Sequence, residues 1–156
     1  MRQGVRLGVD VGRARVGLAR SDRDGLLATP VETVARDLKG SADVDHIVAV
    51  ARDLEVLEII VGLPIALSGA HTASTQDALE FAERLATAID TPVRTVDERL
   101  STVSAHAALR SAGRKTKTHR SVIDQVAAVI IVQHTLDAER ATGIAPGALL
   151  DANEGL

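Results

Sequence analysis

The hydrophobic period of this chain changes near residue 43, and that change narrows what it can fold into. Val5, Leu7, Val9 and Val11 alternate with Arg6, Gly8 and Asp10, the pattern of a half-buried strand. Gly12-Arg13-Ala14 breaks it, and a second strand runs through Val16 and Leu18 to Ser21-Asp22. Asp24-Gly25 marks a hairpin turn, and a third strand covers Leu26 to Val34. From there the period becomes helical: Ile47, Val50, Ala51 and Leu54 share a face within Asp43 to Glu55. Glu58 to Gly62 is a short apolar run of buried-strand type, stopped by Gly62-Leu63-Pro64. A helix follows in which Ser74 and Asp77 have capping-box spacing and Ala78, Ala82, Leu85, Ala86 and Ile89 form the apolar face. Pro92 to Val96 is another buried strand. Ser101 or Thr102 caps a helix to Ala112, and Ser121 caps a long one through Ala138, apolar nearly all round and therefore central.

Three strands joined by tight turns are antiparallel neighbours. Strands alternating with helices require right-handed crossovers and a parallel portion. The expected fold is α/β: a mixed five-stranded sheet, three strands antiparallel and two parallel, with helices on both faces. Residues 1–140 read as a single domain, and 141–156, with Gly143, Pro146 and Gly147, as a flexible tail.

Composition removes several functions. The chain has no cysteine, which excludes a disulfide framework, a thiol nucleophile and a thiolate metal site. No apolar run approaches the roughly 18 residues of a membrane span. Met1-Arg2-Gln3-Gly4 carries no signal peptide, so the cytoplasm is the expected location and no membrane partner is expected. There is no Trp or Tyr and one Phe, Phe81, so single-stranded bases cannot be stacked on a row of rings. If such a chain binds nucleic acid, it holds backbone and shape.

The charge is unevenly distributed. Between Arg99 and Arg120 lie six basic residues (Arg99, Arg110, Arg114, Lys115, Lys117, Arg120) and no acid. Residues 1–20 hold five arginines and one acid, Asp10, while the remainder holds seven basic and twenty acidic residues. Each basic segment is next to an isolated carboxylate. A solvated basic face is the plain alternative to a polyanion site.

Asp10 lies within an apolar strand, where an ionised carboxylate is costly unless paired, metal-bound or at the exposed end of the sheet. It could also serve only to stabilise the turn before Gly12. Asp97 and Glu98 stand at the C-terminal end of a parallel strand, the edge at which open α/β sheets bind ligands. They could instead be solvated and paired with Arg94 or Arg99. Ser121-x-x-Asp124 is itself a capping box. Taken together, one carboxylate on a strand, one at a neighbouring strand end and one at a helix start can converge on a cleft. Three carboxylates without Cys or a spaced His pair suit hard, oxygen-preferring cations. Two Mg²⁺ or Mn²⁺ ions about 4 Å apart can clamp the attacking water and the leaving oxygen of a phosphodiester. The basic connector Arg114–Arg120 would then supply phosphate contacts.

These residues also carry a resemblance. Gly8-Val9-Asp10-Val11-Gly12 with Arg15 and Gly17, at the spacing D-x-G-x-x-R-x-G, resembles the first motif of the YqgF/RuvX family. Val61-Gly62-Leu63-Pro64 resembles its second, and Val96-Asp97-Glu98-Arg99-Leu100-Ser101-Thr102 its third. Val122-Ile123-Asp124-Gln125-Val126-Ala127-Ala128, after a Lys/Arg-rich loop, resembles its last. The order and spacing fit from Arg6 to Leu136. The resemblance implies an RNase H-like fold and a cytoplasmic, divalent-metal-dependent nuclease, a family to which both Holliday junction resolution and pre-16S rRNA processing have been attributed. It implies Asp10, Glu98 and Asp124 as catalytic metal ligands, with Asp97 a candidate fourth acid. Arg15 and Arg99 become phosphate or structural partners. Two departures stand out. Ser104 occupies a position where many relatives have an acid, and Leu67-Ser68-Gly69-Ala70-His71 replaces the usual Asp-Gly-Ser-Glu-Gly-like loop.

Two substrates are consistent with this chemistry: an rRNA precursor end, or branched DNA. Symmetric cutting of a four-way junction would call for a two-fold homodimer. Two other classes compete. The phosphate loop of actin-like and sugar kinases, D-x-G-x-x-x-x-G, overlaps Asp10–Gly17, but that architecture uses two such domains. A non-catalytic nucleic-acid-binding module would have lost acids that are all present in this chain.

Overall fold

Strand β1 (Arg6–Val11) lies inside the sheet, and the other strands are built outward from it. The computed structural model describes residues 1–100 and 118–150, except for the side chains of residues 100 and 118–124. On one side, β1 pairs antiparallel with β2 (Arg15–Ser21), which pairs antiparallel with β3 (Ala28–Ala35). On the other, β1 pairs in parallel with β4 (Glu58–Leu63), and β4 in parallel with β5 (Val93–Asp97). The expected three antiparallel and two parallel strands are therefore present.

A sixth strand, β6 (Ala148–Leu150), runs antiparallel along β5, so the sheet order is β3-β2-β1-β4-β5-β6 and not the expected five. This strand lies in the stretch expected to be a tail. Its three residues are too few to show alternation. The turn into it depends on Gly147, whose φ of 81° is open to glycine and whose missing Cβ leaves room for the Thr95 carbonyl.

Helices α1 (Ala42–Asp53) and α2 (Ala73–Ala88) cover one face of the sheet. Val44, Ile47, Phe81, Ala82 and Leu85 pack there against Leu7, Val9, Leu18, Ile59 and Val61. The cap of α2 is not the expected Ser74–Asp77 pair. Thr72 and Thr75 form a reciprocal capping box two residues earlier, and the Thr75 hydroxyl also donates to the Pro64 carbonyl. Asp77 is instead taken by Arg36, 41 residues away, through two hydrogen bonds of 2.9 and 3.0 Å.

The opposite face is covered by α3 (Thr118–Thr142). Ala128, Ile131, Val132 and Leu136 pack on Ala19, Ala28, Ile60 and Val96. The sheet is small-sided here. A methyl group at Gly8 would overlap Val132 Cγ2 and come within 3.1 Å of the Ala128 carbonyl. Gly8→Ala is therefore expected to destabilise the fold by about 1–3 kcal/mol through overpacking, with much of the loss recovered in Gly8→Ala/Val132→Ala. Urea denaturation of both variants measures this, and a Gly8→Ala variant as stable as the parent would contradict this packing. The helix expected over residues 101–112 lies outside the described residues.

Candidate active site

The pleat and the register together place the site. On β1, Gly8 faces α3, so Asp10, two residues on, faces the same side. Thr33 pairs with Gly17, and Gly17 with Asp10. Val9 pairs with Val61, which puts Gly62 one step further along β4, beside Asp10. Gly62 in turn pairs with Val96 on β5. Asp10 is thus flanked on both sides by glycines, at the C-terminal ends of the parallel strands.

Glu98 enters this row from two strands away. It follows directly on β5, in a single 3-10 turn (Glu98–Leu100), and its carboxyl is hydrogen-bonded to that of Asp10. To do so it crosses over β4. Burial pushes the Glu98 carboxyl above its usual range; the hydrogen bond with Asp10 opposes this, and the charge of Asp97 adds to it. Two half-buried carboxyls sharing a hydrogen bond form a site at which a proton or a cation is stabilised.

Asp97 is used differently. Arg99 donates to it four times: the backbone N–H at 2.9 Å, Nε at 3.1 and 2.9 Å, and Nη2 at 2.6 Å. The Arg99 hydrogen bonds hold the Asp97 carboxyl below the usual carboxylate range. The pair lies at the rim, where Arg99 also reaches the Ala66 carbonyl at 3.5 Å. Arg15 opens β2, half-buried, and its carbonyl accepts from the Gly12 N–H at 2.8 Å to close the β1–β2 turn.

Helix α3 runs back from this end of the sheet. Gln125 Nε2 donates to Thr33, in the same row as Asp10, at 2.9 Å, and Gln133 Oε1 accepts from the Ala28 N–H at the start of β3, also at 2.9 Å. Asp124 immediately precedes Gln125. Because α3 includes Thr118, Ser121 lies inside the helix and is not its N-cap residue, contrary to the expected Ser121–Asp124 capping box. The side chains of Asp124 and Arg120, and all of Arg114, Lys115 and Lys117, lie outside the described residues. Among the described residues no group of three or more His, Cys, Asp or Glu is placed to hold a metal. The described part of the site supplies two acids, Asp10 and Glu98.

Arg36 was not among the expected site residues. Its Nη1 donates to the Gly12 carbonyl at 2.8 Å, and its guanidinium stacks 5.1 Å from the Phe81 ring centroid, so α2 buttresses the turn after Asp10. No local pattern could reveal it, since its partners are distant in the sequence.

A sequence profile of the family described as "RuvX: Holliday junction resolvase" matches residues 4–138. A protein of Clavibacter michiganensis subsp. michiganensis bearing the name "Putative pre-16S rRNA nuclease" is 64% identical over 153 residues, 98% of this chain and 95% of that one. A Mycolicibacterium smegmatis protein of the same name is 52% identical over 142 residues, 89% of this chain and 84% of that one. Among solved structures, Thermus thermophilus RuvC in complex with a Holliday junction substrate superposes with a TM-score of 0.56 at 19% identity, covering 92% of this chain and 99% of that one. That likeness shows the fold: RuvC-like, within the RNase H-like class.

Proposed function

The chain belongs to the RuvX family, and from that premise we propose that it is a divalent-metal-dependent nuclease that hydrolyses phosphodiester bonds in structured nucleic acid, at the 5′ end of pre-16S rRNA. The observation that carries this reading is the meeting of Asp10 and Glu98 across β4. Their oxygen-only donor set matches Mg²⁺ or Mn²⁺ and not a soft metal. Asp10, Glu98 and Asp124 would hold the cations. Bound there, divalent cations lower the pKa of a water and offset the charge that grows on the scissile phosphate.

The rest of the chain serves positioning. Asp97 holds Arg99 at the rim with its guanidinium half-exposed, suited to a phosphate near the cut. Arg114, Lys115, Lys117 and Arg120 supply further phosphate contacts. With one aromatic residue in the whole chain, recognition rests on backbone and shape. No helix among the described residues is long and apolar enough to cross a membrane, and rRNA processing is cytoplasmic work.

Purified protein tested with Mg²⁺ or Mn²⁺ on precursor rRNA, four-way DNA, plain duplex and single strands decides the substrate. Trimming of the precursor supports the reading. Paired symmetric cuts in the junction by a protein of dimer mass would replace it with resolvase activity, the second reading that the family description favours. Neutralising Arg114, Lys115 and Lys117 together is expected to flatten the slope of log K against log salt by up to about three units. An unchanged slope would remove that segment from the substrate path.

A further inference from the structure

Gly62 lies in a regular strand, and its φ is not in the left-handed region, so backbone conformation does not require glycine there. Space does. A Cβ at this position would come 2.6 Å from Glu98 Oε1, 2.9 Å from Glu98 Cγ and 2.5 Å from Ile131 Cδ1. Two of these three atoms belong to the side chain that reaches Asp10. β4 lies between β1, which carries Asp10, and β5, which leads into Glu98. Any side chain on β4 in this row, on this face, would stand between the two carboxyls.

We infer that Gly62 is a positioning residue of the nuclease: its missing side chain is the gap through which Glu98 folds over β4 to join Asp10. This rests on the metal-nuclease reading of Asp10 and Glu98. Gly17, paired with Asp10 on β2, leaves the other flank of the carboxylate without a side chain. The glycine on β4 sets where the second acid can go, and with it the spacing of the oxygen donors offered to a cation.

Ile131 provides the control. A methyl group at position 62 strikes both Glu98 and the helix side chain, so Gly62→Ala alone mixes a site effect with a packing effect. Ile131→Val removes the Cδ1 atom and with it the helix-side collision, leaving the Glu98 collision intact. The comparison is therefore Ile131→Val against Gly62→Ala/Ile131→Val. If the pair still melts low, Ile131→Ala serves as the roomier background. Three quantities are read: the melting temperature without metal, the Mn²⁺ dissociation constant by titration calorimetry, and cleavage of the substrate identified for the parent.

The metal-free melting temperatures of the two proteins are expected to agree. The added alanine should weaken Mn²⁺ binding by about 10–100-fold and shrink the upward shift in melting temperature expected of Ile131→Val with Mn²⁺. It should lower kcat by about a hundredfold, because the second acid is displaced by roughly an ångström. A Gly62→Ala/Ile131→Val protein that binds Mn²⁺ and cleaves like Ile131→Val would overturn the inference. Failure of the underlying reading would look different: the parent itself would neither bind Mn²⁺ nor cut, or Glu98→Gln would cut normally.

Discussion

Asp10→Asn should lower the rate of hydrolysis by at least about a thousandfold while leaving nucleic-acid binding intact or slightly tighter. The substitution is nearly isosteric, so Asn keeps the hydrogen bond to Glu98 and the packing under α3. What it removes is charge. At a site built to hold cations, a neutral amide is a poor ligand, and water activation goes with the cation. The same change removes a negative charge from the surface that faces phosphate, which favours binding. Single-turnover cleavage and filter binding on one labelled substrate separate the two effects. An Asp10→Asn protein that cleaves at the parental rate would remove Asp10 from the chemistry. Loss of both cleavage and binding, with the melting temperature unchanged, would make it a docking residue.

How much of this could be read from the sequence depended on the range of the interactions. Asp10 stood out because a lone carboxylate within Val5–Val11 has no apolar explanation, and the sheet places it at a ligand-binding edge. Strand β1 and helices α1 and α2 followed from periodicity, β2 and β3 from the breaks and the Asp24-Gly25 turn beside them, β4 and β5 from short buried apolar runs and α3 from a long stretch apolar nearly all round, with ends shifted by a few residues. Gly62, in contrast, looked like the stop of a strand, since Gly-Leu-Pro is ordinary punctuation. Its role depends on a side chain 36 positions later folding back across it. Residue type and position did not separate the neighbouring acids Asp97 and Glu98; only the family resemblance ranked Glu98 first. The 3-10 turn separates them, giving one to Arg99 and the other to Asp10. Ser74–Asp77 and Thr72–Thr75 have identical spacing, and tertiary partners chose between them: Pro64 for Thr75, Arg36 for Asp77. β6 was invisible because three residues carry no period.

The largest stability effect is expected at the opposite end of the sheet. Glu58 opens β4, and Arg6, its register partner on β1, is also buried. The Glu58 carboxylate, 1% exposed, accepts from Arg2 at 3.0 and 3.2 Å and from Arg94 at 3.2 Å. Glu139 of α3 accepts from Arg2 and, at 2.7 Å, from Arg6. Three guanidiniums and two carboxylates thus tie the first residues of the chain and the starts of β1, β4 and β5 to the last turns of α3. Removing one carboxylate leaves buried positive charge without its partner, and Arg94 has no other carboxylate among its described hydrogen bonds. Glu58→Ala should therefore cost about 3–5 kcal/mol in denaturant unfolding. Glu58→Met/Arg94→Met should cost less, because no charge is stranded. The network also contributes to the acid limit, through Glu139. Burial alone would raise the Glu139 carboxyl, but the Arg2 hydrogen bond and the charges of Arg2 and Arg6 outweigh it and hold it below its ordinary 4.5. A carboxyl lowered in the folded state adds stability that is present above its unfolded pKa and lost as pH falls through its folded one. Stability should thus fall below about pH 4.5, and the fall should be shallower in Glu139→Gln. Cleavage by Glu58→Ala, assayed well below its melting temperature, should match the parent, since the network and the Asp10–Glu98 pair lie at opposite ends of the strands. A Glu58→Ala protein within 1 kcal/mol of the parent would mean that water satisfies these arginines as well as the carboxylate does.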